Sequence, residues 1–117
     1  MTEFMFVQLF VSLLLLSSSL LFKKAANANI NSVFGYRTKG SSRNNEAWQL
    51  ANLLCFKYMI IIALANIIVA LLVLSLVNFE MITYEDNFLY LIAIQLIISM
   101  LILYFKIEVK LKENNDL

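Results

Sequence analysis

The sequence predicts an all-α integral membrane protein: three transmembrane helices, with an amphipathic cytoplasmic connector between the first and second. Three observations carry this reading. The chain holds three long apolar runs, about 4–22, 57–79 and 88–105. Each approaches the roughly 20 residues needed to cross a bilayer. The composition is 62% hydrophobic over 117 residues, against about 45–50% for an ordinary soluble domain. A chain of this size cannot hide that much apolar surface in one aqueous core. Finally, Lys and Arg alternate between the segments that flank the runs, as they do around membrane spans.

The first run, Phe4–Phe22, carries no charge. Two readings are open. Ala26-Asn27-Ala28 imitates a signal-peptide cleavage site. A secretory signal, however, opens with basic residues, whereas here Glu3 precedes the run and Lys23 and Lys24 follow it. That order favours a retained transmembrane helix. Gln8, Ser12 and Ser19 fall near one face at helical spacing. Polar groups in lipid seek partners on neighbouring helices, so this face is expected to point into a bundle.

Asn31–Lys57 holds most of the chain's polar chemistry, its only glycines and its only tryptophan. Gly35 and Gly40 bracket Tyr36–Lys39 and allow sharp turns at both ends. Arg37, between them, has the planar fork that suits a phosphate, a carboxylate or a helix-end carbonyl. Glu46 is the only acid in this segment and is therefore its expected internal partner. Ser42 or Asn44 is placed to cap a following helix, with Glu46 in its first turn. Asn45, Gln49 and Asn52 form one stripe of that helix, and Trp48, Ala51, Leu54, Cys55 and Tyr58 lie towards another. This is an amphipathic approach to the membrane, with Trp48 and Tyr58 suited to the interface.

Tyr58–Phe79 is uncharged, with Lys57 able to snorkel at its start. Asn66 is its one strongly polar residue at depth, two heptads after Asn52 and on the same side. It reads as an interhelical hydrogen bond or as a ligand contact. Glu80–Asn87 is a short acidic connector, a solvated turn without the ligand pattern of a Ca²⁺ site. In the third run, Phe88–Phe105, Gln95 and Ser99 share a face. The tail after Phe105 mixes both charges and is expected to be a helix end fraying in water. One three-helix domain, 1–117, accounts for the whole chain.

Charge sets the expected orientation. The first connector has Lys23, Lys24, Arg37, Lys39, Arg43 and Lys57, and the tail has Lys106, Lys110 and Lys112. The N-terminus has no Lys or Arg, and the second connector offers only Glu80, Glu85 and Asp86. The rule that basic loops stay inside then places the N-terminus outside and the C-terminus in the cytoplasm.

The residues Asn31-x-x-x-Gly35-Tyr36-Arg37-Thr38, then Ser41 and Ser42, then Asn45-Glu46-x-Trp48-x-x-Ala51-Asn52, resemble the signature of the SdpI family. These are bacterial membrane proteins named for an immunity protein against a secreted sporulation-delaying toxin. The resemblance covers the C-terminal module of that longer protein only. Lys39 stands where the family often has proline, and Asn52 where it often has histidine. The resemblance implies a multi-pass protein of the bacterial inner membrane. The signature residues Asn31, Gly35, Tyr36, Arg37, Thr38, Glu46, Trp48 and Asn52 are the candidate binding surface on the cytoplasmic side; the other reading is that Arg37, Thr38, Glu46 and Trp48 fold the connector onto the headgroup layer.

For function, the resemblance implies non-enzymatic immunity or tolerance towards a membrane-active peptide toxin. Gln8, Asn66 and Gln95 are the candidate contacts inside the bilayer. The family also implies signalling by sequestering a cytoplasmic repressor, with the connector as docking surface. The alternative is a small structural or transport-associated membrane subunit, with a homo-oligomer open in either case. Catalysis finds no support in the residues. The chain has no histidine and a single cysteine, Cys55, which reads as a small hydrophobe. No metal or cofactor is expected. A net charge of +1 gives no global field for direct nucleic-acid binding.

Overall fold

The computed structural model describes residues 2–31, 34–83, 85 and 87–114. It consists of α1 (Thr2–Ala26), α2 (Asn45–Asn78) and α3 (Phe88–Glu113), with no strand among the described residues. All three helices are long and apolar enough to cross a membrane. The bundle measures 54 × 24 × 17 Å.

α1 and α2 form a close antiparallel pair. The buried stripe of α1 is Phe4, Gln8, Ser12, Leu15 and Ser19. The matching face of α2 carries Ala47, Ala51, Cys55, Ala63 and Ala70. Small side chains on both helices let the backbones approach, which is how helices gain contact where lipid removes the hydrophobic drive between them. α3 packs chiefly through its C-terminal half. Leu103, Ile107 and Leu111, at four-residue spacing, join Leu15, Ala51, Cys55 and Met59 in one core. At the other end Phe4 meets Phe88 edge to face, with ring centroids 6.3 Å apart.

α2 has 34 residues, about 51 Å at 1.5 Å per residue, well beyond the ~30 Å hydrocarbon core of a bilayer. The amphipathic segment after Asn44 is therefore not a separate surface helix. It continues without a break into the apolar run. Asn44 is the N-cap, and its Oδ1 accepts from the Ala47 N–H at 2.7 Å. The C-terminus of α2 closes with the Glu80 N–H bonded to the Val77 carbonyl and the Met81 N–H to the Leu76 carbonyl. This double closure requires a left-handed residue at Glu80, and φ there is 56°. Asp86, counted with the acidic connector, lies outside the described residues.

The tail is more ordered than its mixed charge predicts. α3 stays helical through Glu113, and Ile107 and Leu111 are buried there. The reason is tertiary: these two residues cover the start of α2 and the folded connector.

Candidate functional site

The connector between α1 and α2 folds around Trp48. The indole is fully buried, and its Nε1–H donates to the Ala25 carbonyl at 3.0 Å, at the end of α1, where that carbonyl also accepts from the Ala28 N–H. Gly35 lies flat against the ring. A Cβ there would sit 2.6 Å from Trp48 Cζ2, and φ is +123°. Both facts demand glycine. Asn52, one turn along α2, is buried too. Its Oδ1 accepts from the Tyr36 N–H at 2.6 Å, and its Nδ2 donates to the Trp48 carbonyl at 2.9 Å. One amide thus clamps the loop onto the helix.

The second half of the connector reaches α3. The Tyr36 hydroxyl donates to Glu108 Oε1 at 2.8 Å. Burial first, then this hydrogen bond and the Glu108 charge, hold the tyrosine well above its ordinary ionisation range. Thr38 and Ser41 bond reciprocally: the Thr38 N–H donates to Ser41 Oγ at 2.8 Å, and the Ser41 N–H to Thr38 Oγ1 at 3.1 Å. Gly40 lies against α3, where a Cβ would be 3.1 Å from Glu108 Oε2. Arg43 Nη2 donates to the carbonyls of Leu111 and Asn114 at 3.0 and 2.7 Å. A cation at that terminus also meets the negative end of the helix dipole. Asn31 closes the first turn by accepting from the Phe34 N–H at 3.0 Å.

Three features depart from the sequence reading. Trp48 does not sit at the lipid interface; it is the centre of the folded connector. Asn52 does not share an exposed stripe with Asn45 and Gln49, because it turns inward beside Trp48. Arg37 does not pair with Glu46. The guanidinium stacks 5.2 Å from the Trp48 ring centroid, while Glu46 lies exposed beside Ala26, Asn27 and Gln49. Arg37 is itself exposed, so its outer edge faces away from the fold.

A second polar constellation lies between α1 and α2, far from the connector. Asn66 Nδ2 is 3.3 Å from Ser12 Oγ and 3.5 Å from the Gln8 carbonyl, and Ser12 Oγ donates to that carbonyl at 2.8 Å. Gln8 and Asn66 are both buried, yet Gln8 Nε2, Gln8 Oε1 and Asn66 Oδ1 have no hydrogen-bond partner among the described residues. Gln95 is only half-buried on α3 and is not part of this group.

At the level of the connector, four cations lie over aromatic faces: Lys23 over Phe56 and Lys24 over Phe34 at 5.5 Å, Arg37 over Trp48 at 5.2 Å, and Lys106 over Tyr58 at 5.7 Å. Sequence alone marked the basic residues but not these pairings, since the partners come from different elements.

Fold and site together define a helical membrane protein whose three apolar helices are tied at one end by a folded loop. The profile of the SdpI/YfhL protein family matches residues 27–105, and the chain belongs to that family. The match takes in the connector, α2 and most of α3, and leaves out α1. No curated protein and no solved structure matches the chain.

Proposed function

We propose that this chain is a non-enzymatic immunity or tolerance protein that acts on a membrane-active peptide toxin within the bilayer. Membership of the SdpI/YfhL family over residues 27–105 is the observation that carries the proposal. The folded connector divides the signature by role. Gly35, Tyr36, Trp48 and Asn52 hold the loop, with Asn31 and Thr38 closing its turns, while Arg37 and Glu46 face outward as binding groups. In the bilayer, Gln8 and Asn66 carry amide atoms without partners among the described residues. Such groups are costly to keep and attract an incoming polar backbone. A toxin helix or strand that parts α1 from α2 meets them there; Gln95 offers a further contact on α3. The connector lies on the cytoplasmic side in this proposal, and the basic edge of Arg37, Lys39 and Arg43 serves as the dock for an acidic face of a repressor.

The test is protection. Cells that produce the protein are challenged with the secreted peptides of their own and neighbouring strains, beside cells that lack it. Protection against at least one peptide is expected. Arg37→Gln at normal membrane levels is expected to keep protection and lose the response of the repressor's target genes. Equal sensitivity with and without the protein against every peptide would contradict immunity. Stoichiometric co-purification with another membrane protein would then favour a structural subunit.

A further inference from the structure

We propose that the cleft between α2 and α3, on the connector side of the membrane, holds one anionic phospholipid, with its phosphate at Lys106 and one acyl chain running inward past Tyr58 and Ile62. The cleft consists of two voids in line. The outer, about 390 Å³, is lined by Tyr58, Phe105, Lys106, Val109 and Lys110. The inner, about 150 Å³, is lined by Tyr58, Ile62, Ser99, Ile102, Leu103 and Lys106. Tyr58 and Lys106 belong to both, so the voids form one path from the rim to the interior.

The polarity of that path is the polarity of a lipid. Its rim carries two ammonium groups and its depth is hydrocarbon, apart from the Ser99 hydroxyl. Lys106 directly follows the uncharged run Phe88–Phe105, so its charge lies where headgroup phosphates begin. From Lys106, beside the phosphate, to Ser99 the lining spans about 10 Å of helix at 1.5 Å per residue, within one leaflet of a ~30 Å hydrocarbon core. The path therefore holds the headgroup-proximal part of one acyl chain.

The charge favours an anion. Lys106 makes no ion pair among the described residues and rests instead over the Tyr58 ring. Among the described residues Lys110 pairs only with exposed Glu113, at 3.4 Å. Glu108, the nearest other acid on α3, turns away to receive the Tyr36 hydroxyl. The Tyr58 hydroxyl makes no hydrogen bond among the described residues and is free to donate to a phosphate or ester oxygen. Basic pockets between helices at a membrane face recognise anionic headgroups by this combination. Ile107 and Leu111 fill the core side of α3, so the lipid lies beside that core, between Tyr58 and Lys106, open to the bilayer.

Native mass spectrometry of the whole protein, released from nanodiscs of phosphatidylglycerol and phosphatidylcholine mixed equally, tests this. One retained phosphatidylglycerol per chain is expected, in preference to phosphatidylcholine. Lys106→Gln with Lys110→Gln should lower its retention about tenfold. Ile102→Trp should lower it with both charges intact, and Lys112→Gln, outside the cleft, should leave it unchanged. Circular dichroism of each variant confirms that the helices remain, and if Ile102→Trp fails to fold, the lysine variant decides. Equal retention of the two lipids, unchanged retention in the lysine variant, or a lipid-free dimer would overturn the proposal.

Discussion

Gly35 shows how a single residue can hold a site together. Adding one methyl group there strains a positive φ and drives a carbon into the Trp48 ring. Gly35→Ala should destabilise the connector by about 3 kcal/mol, combining backbone strain with overpacking; thermal unfolding in detergent, followed by Trp48 fluorescence, reads this. Asn52→Ala should cost about 1–3 kcal/mol, because it leaves the half-buried Tyr36 N–H without its Asn52 acceptor. Tyr36 adds a pH dependence. Its pKa is raised in the fold, while an unfolded tyrosine ionises near pH 10, roughly. The contribution is therefore fully present below about pH 10 and is lost as pH rises through the folded value. Tyr36→Phe should remove that alkaline loss and lower stability at neutral pH. A titration of unfolding midpoints with the same slope above pH 10 in both proteins would contradict this assignment.

At the scale of the element, α1 and α2 are joined by small residues and by one under-satisfied polar group. Asn66 holds only long hydrogen bonds to Ser12 and to the Gln8 carbonyl, and intramembrane bonds of this kind contribute about 0.6 kcal/mol on average. Gln8 brings an amide with no partner among the described residues. Gln8→Leu is thus expected to leave helix pairing unchanged or stronger, while lowering protection against the toxin. Loss of both folding and protection would make Gln8 structural. The three spans were legible in the sequence because hydropathy is a local property. The Asn44 cap was legible for the same reason, since a cap bonds within one turn. The inward turn of Trp48 was not, because an amphipathic aromatic beside a membrane suits an interface equally well when its partners are unknown. Those partners are Ala25, Gly35 and Arg37 from the chain before it. The four-residue repeat Leu103, Ile107, Leu111 was the one local sign that α3 stays helical and packed beyond its apolar run; the charges around it obscured that sign. Arg37 was paired with Glu46 by elimination, and no local rule foretold a stack on the tryptophan.

At the scale of the molecule, the connector binds the end of α1, the start of α2 and the end of α3 into one cap at that end of the bundle. The Ala25–Trp48, Tyr36–Asn52, Tyr36–Glu108 and Arg43–Leu111 bonds do this with few residues. The cap gives the signature-like residues a common structural role: Gly35 and Tyr36 of the loop, with Trp48 and Asn52 of α2, fix how three otherwise greasy helices meet. Orientation is tested in a Cys55→Ala background with single cysteines at Ser42 and Glu85, both exposed. A membrane-impermeant thiol reagent added outside intact cells should label position 85 and not position 42. The cap itself is tested most directly by its only tryptophan. In proteoliposomes, Trp48 emission should be quenched weakly both by acrylamide in water and by brominated lipids at every depth, because the ring is enclosed by protein on all sides. Strong quenching by shallow brominated lipids would place Trp48 at the bilayer surface and contradict the folded cap.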